Sequence, residues 1–152
     1  RNANDVHSRA FVLLQNAAFL PRFRDEARRR GSLAERCIDD WRSEPPETPG
    51  ADTTAAEILE KLGTQPMAAA RDLFAHLSNG NSVYPFMQQA REMIFLKGND
   101  SHDYKYSSAV LEDYSQVSQN WRPSYLAAAL FKMRHAQEPT TSLIRRIQAA
   151  MG

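Results

Sequence analysis

The sequence predicts an all-α fold, an irregular bundle of about eight or nine short helices in one compact domain. Three observations lead there. Apolar residues recur every three or four positions along most of the 152 residues, which gathers them on one flank of a helix. Helix starts of the Ser/Thr-x-x-Glu type and glycine stops punctuate those stretches. The period-two alternation of a half-buried strand is nearly absent.

The elements follow in order. Asn4 or Asp5 can cap a first helix, whose Val6, Ala10, Phe11, Leu13, Leu14, Ala17 and Ala18 make a broad apolar face. Pro21 is expected to kink or end that helix, or to open the next segment. The segment through Arg30 ends in three arginines, where a helix end favours positive charge, and Gly31 stops it. Ser32-Leu33-Ala34-Glu35 reads as a capping box, with Leu33, Cys37, Ile38 and Trp41 on one face after it.

Residues 43–52 hold Pro45, Pro46 and Pro49. They read as an extended linker between an N-terminal helical part (4–42) and a C-terminal one (53–151). Thr54-Ala55-Ala56-Glu57 is a second capping box, closed by Gly63. Pro66 opens a helix with Met67, Ala70, Leu73, Phe74 and Leu77 on one side, ended by Asn79-Gly80. Pro85 opens another, with Phe86, Ala90, Met93 and Ile94, stopped by Gly98. The short connection predicts that these two form an antiparallel hairpin. Tyr106, Val110 and Tyr114 mark a helix through about Tyr114, and Pro123 opens one holding Leu126, Leu130 and Met133. Thr140 or Thr141 caps the last, where Leu143, Ile144, Ile147 and Met151 align opposite Arg145 and Arg146. No internal period has matching residues, so a solenoid is not indicated.

The net charge is +1, which gives the whole chain no polyelectrolyte character. The charges are nevertheless uneven. Residues 1–42 carry nine arginines against six acids, and residues 44–62 five acids against one lysine. Asp25 and Glu26 interrupt the cluster of Arg22, Arg24, Arg28, Arg29 and Arg30, which argues against a nucleic-acid surface. No apolar run reaches the roughly 20 residues of a membrane span. Cys37 is the lone cysteine, so no internal disulfide can form, which fits a reducing, cytoplasmic setting. The chain begins at Arg1, as a fragment or a processed product would.

No glycine-rich phosphate loop, nucleophile elbow or zincin helix is present. The densest set of reactive side chains is Asp100-Ser101-His102-Asp103-Tyr104-Lys105-Tyr106. His102, Asp103, Tyr104 and Lys105 are the catalytic candidates, because a histidine beside carboxylates can serve as a base or a metal ligand. Against this stands a capped helix start, with Asp100 or Ser101 as the cap and Asp103 at the positive helix end. His102-Asp103 also resembles the metal-binding pair of the HD-domain phosphohydrolases, which are all-helical. That resemblance implies a metal held by His76, His102, Asp103 and Asp113. It departs from the family's pattern in following loop-like Lys97–Ser101 rather than an apolar helix, so it assigns no family. Trp121-Arg122-Pro123 with Tyr125 is a further recognition-patch candidate.

The leading functional expectation is a helical protein–protein interaction or self-association module, with a protein partner or a second copy of the chain. Phe11, Leu14, Phe19, Leu20 and Phe23 spread around one helical cylinder, which must then be central or docked. The alternative is a metal-dependent, hydrolytic or ligand-binding helical domain centred on His102-Asp103. No cofactor is specified by any motif.

Overall fold

A computed structural model describes residues 5–32 and 53–151. Their regular structure is entirely helical: seven α-helices and three single 3-10 turns, with no strand among the described residues. The all-α class stands, while the expected count of eight or nine becomes seven. One reason is that Pro21 does not divide the first helix. The other is that the helix expected after Ser32 lies outside the described residues, as does the linker expected over 43–52.

The chain falls into two compact units, Arg1–Arg36 and Cys37–Gly152. In the first, α1 (Val6–Arg30) is a single helix of 25 residues, about 37 Å long. Asp5 caps it by accepting from the Ser8 amide at 2.8 Å. Arg28, Arg29 and Arg30 fill its last turn, and Arg30 pairs with Glu26 one turn back at 3.0 Å. Pro21 removes one rung of the backbone ladder, yet the helix runs on through it.

The second unit holds α2 (Ala55–Lys61), α3 (Pro66–Ser78), α4 (Tyr84–Lys97), α5 (Ser101–Asp113), α6 (Arg122–Ala129) and α7 (Ser142–Met151). The start signals act as the sequence indicates. Thr54 and Glu57 form a reciprocal capping box at α2, Pro66 opens α3, and Gly80 takes a left-handed φ of 81° just beyond it, the conformation that favours glycine. The 3-10 turns Tyr114–Gln116 and Gln119–Trp121 link α5 to α6, and Leu130–Lys132 follows α6.

The core lies where α3 packs on α6, with α2 and α4 closing its sides. Ala69, Ala70 and Ala127 have no exposed surface, and such small side chains let two helix axes approach closely. Ile58, Leu59, Leu73, Phe86, Leu126 and Leu130 fill the space around them. Each contributes roughly 1.5–3 kcal/mol by leaving water. The closest packing of α4 is against α2 and α5, and that of α3 against α2 and α6. The α3–α4 hairpin expected from their short connection is thus not the dominant pairing.

Polar ties fasten the periphery. Tyr106 donates its hydroxyl to the Ala129 carbonyl at 2.9 Å, joining α5 to the end of α6. Lys61 and Asp72 form an ion pair between α2 and α3. The segment before α7 is strapped down by Thr141, whose amide donates to the Leu96 carbonyl at 3.0 Å. Lys97 adds a bond to the Glu138 carbonyl at 2.6 Å.

Candidate functional site

The Asp100–Tyr106 cluster forms a cap and the first turns of α5. Asp100 accepts from the amides of His102 (2.7 Å) and Asp103 (3.1 Å). In return Asp103 accepts from the amides of Asn99 (2.9 Å) and Asp100 (3.4 Å). The same Asp103 oxygen takes a bond from the Arg134 guanidinium. Burial pushes the Asp103 carboxyl up. The Arg134 bond and charge, with the Asn99 and Asp100 amides, outweigh burial and hold it below the usual carboxylate range. Asp103 is thereby held ionised, with one oxygen already shared by three donors.

The other candidates scatter. The His102 side chain is 90% exposed, 3.6 Å from the Asp100 carboxylate. Tyr104 turns back and donates to the Gly98 carbonyl at 3.1 Å, while Lys105 is exposed on the helix surface. Asp113 stands eleven residues beyond His102 on the same helix, about 16 Å along its axis. His76 occupies the last turn of α3, its Nε2 3.4 Å from the Ser82 carbonyl and its Nδ1 buried with no partner among the described residues. Among the described residues no three His, Cys, Asp or Glu side chains come within reach of one metal ion.

Arg122, in the Trp121-Arg122-Pro123 patch, is engaged internally. It donates to the carbonyls of Val117 (2.9 Å) and Ser115 (2.8 Å) and lies 5.5 Å over the Tyr114 ring. Arg28, Arg29 and Arg30 of α1 meet Asp25 and Glu26 in exposed pairs at 3.0–3.7 Å. Such pairs contribute little.

Two surfaces remain. A shallow pocket of about 260 Å³ opens between α4 and α5, floored by Ile94, Phe95, Tyr104 and Leu111 with Arg91 and Glu112 at its rim. Its volume is below the usual range of small-molecule sites. Of the catalytic candidates, only Tyr104 reaches it. The sequence signal for it is Phe95, an aromatic off the buried stripe of α4 and 63% exposed.

The second surface is α1. None of its residues is buried. Phe11, Val12, Leu13, Leu14, Phe19, Leu20 and Phe23 are each at least half exposed. Phe19 and Phe23 stack one turn apart, with ring centroids 5.6 Å from each other. Together they form an apolar patch that the rest of the described chain leaves uncovered. Among the described residues no helix is long and apolar enough to cross a membrane.

No protein-family model matches the chain, and no curated protein or solved structure is similar to it.

Proposed function

We propose that this chain is a helical protein–protein interaction module that self-associates through α1. One observation carries the reading: a 25-residue helix buries none of its own side chains while holding seven large apolar ones between Phe11 and Phe23. Isolated helices gain little from propensity alone and depend on burying an apolar face. The six-helix unit, which has its own core, serves in this reading as a folded body carried by the contact helix.

Sedimentation velocity across a wide concentration range tests it. The chain is expected to sediment as a dimer or larger species, and Phe19→Glu with Leu20→Glu is expected to return it to a monomer. Circular dichroism on the variant checks that the six-helix unit is intact. A wild-type chain that stays monomeric at the highest concentration removes the reading.

A further inference from the structure

We infer that two copies of α1 pair antiparallel, along a seam formed by Val12, Asn16, Phe19 and Phe23 and flanked by Leu13 and Leu20. The inference rests on the self-association reading above. At about 100° per residue, the five apolar members fall within an arc of about 120°. Pro21 falls on the opposite flank of the continuous helix, where its missing N–H and its ring do not disturb the seam. The spacing 12, 16, 19, 23 alternates four and three, the pattern by which two helices interlock.

Area favours a second copy as the occupant. The exposed parts of the five apolar seam residues sum to roughly 600 Å² per copy, the lower edge of the ~600–1,000 Å² per partner of a stable interface. Charge sets the direction. Residues 22–30 hold five arginines and two acids, so a parallel pair would lay a net +3 beside a net +3. An antiparallel pair centred between residues 17 and 18 sets Val12 against Phe23 and Asn16 against Phe19. It also brings Asp5 of each copy to Arg30 of the other, opposite charges in place of like ones.

Paired cysteines test the direction. Arg9→Cys and Glu26→Cys, each with Cys37→Ser, place thiols on the seam. In the antiparallel pair Arg9 lies beside Glu26 of the other copy. The two Arg9 positions are then about 25 Å apart, beyond the ~7 Å between α-carbons that a disulfide spans. An equilibrated, mildly oxidised mixture is expected to give the mixed disulfide, and neither variant alone a homodimer. Homodimers from each variant alone overturn the antiparallel arrangement but leave self-association standing. A dimer by sedimentation with no cross-link moves the contact off this seam and overturns the inference. A chain that sediments as a monomer defeats both this inference and the proposed function. A monomer that floats with anionic phosphatidylserine vesicles does the same and makes a lipid surface the occupant of α1.

Discussion

The Arg134 guanidinium donates to the Asp103 carboxylate across 31 positions of sequence. It also holds Glu138 at 2.8 Å. Both members of the Asp103 pair are mostly shielded, with side chains 24% and 16% exposed. The pair closes the start of α5 onto the segment leading to α7, beside the Lys97 bond to the Glu138 carbonyl. Arg134→Met keeps the bulk of the side chain but leaves Asp103 without its cation. The expected cost is about 2 kcal/mol, in the range for a charged hydrogen-bond partner left unpaired. A urea-denaturation midpoint equal to that of the wild type would show that the pair is only ornamental to stability.

Acid sensitivity follows from the same carboxylate. Asp103 has a folded pKa below its ordinary value, so it binds a proton less readily in the folded chain than in the unfolded one. Its contribution is fully present above the ordinary carboxylate range, about pH 4. It is lost as the pH falls through the depressed folded value. Asp103→Asn is therefore expected to lower stability at pH 7 and to narrow the gap between neutral and acidic conditions. Melting temperatures of both proteins from pH 7 to pH 2.5 decide it, and parallel curves would reject the assignment.

Local signals were legible in the sequence, and long-range ones were not. The Thr54–Glu57 box, Pro66 at a helix start and the Asn79-Gly80 stop each depend on side chains reaching only their own turn. Asp100 and Asp103 form the same reciprocal cap in aspartates, so the stretch reads equally as a helix start and as a reactive cluster. Only the placement of Arg134, fixed by how distant helices pack, shows what Asp103 is bonded to. The apolar girth of α1 was likewise plain from Phe11 to Phe23. Its division into flanks was not, because azimuths on either side of Pro21 are related only if the helix is unbroken. The packing of α4 against α2 and α5 escaped the sequence for a similar reason. Connection length sets which helices are neighbours in the chain, while side-chain volume sets which ones pack.

Gly98, read in the sequence as a helix stop, is fixed by close approach. A β-carbon there would sit 2.5 Å from the Ile94 carbonyl oxygen and 3.1 Å from the Tyr104 ring carbon that carries the hydroxyl. The carbonyl belongs to the backbone of α4 and already accepts the Gly98 amide at 2.8 Å, so it cannot yield without breaking the end of the helix. Gly98→Ala is expected to destabilise the six-helix unit by about 1–3 kcal/mol, the usual cost of overpacking. It should also loosen the Tyr104 hydroxyl from the Gly98 carbonyl, visible as a change in tyrosine fluorescence. A variant as stable as the wild type would mean that the turn has room the structure does not show.

Ser124 presents the opposite case, a site the fold should improve by losing an atom. It sits on α6 with no exposed surface, on a helix whose Leu126, Ala127 and Ala129 belong to the apolar core. Its hydroxyl finds no partner among the described residues. A buried hydroxyl without a hydrogen bond forfeits its hydration with nothing in exchange. Alanine fills nearly the same volume and favours the helix slightly more. Ser124→Ala is expected to raise the unfolding free energy by about 1 kcal/mol, read as a higher urea midpoint at an unchanged slope. A loss of similar size would instead place a partner on the hydroxyl, an ordered water being the chemistry that fits so small a space.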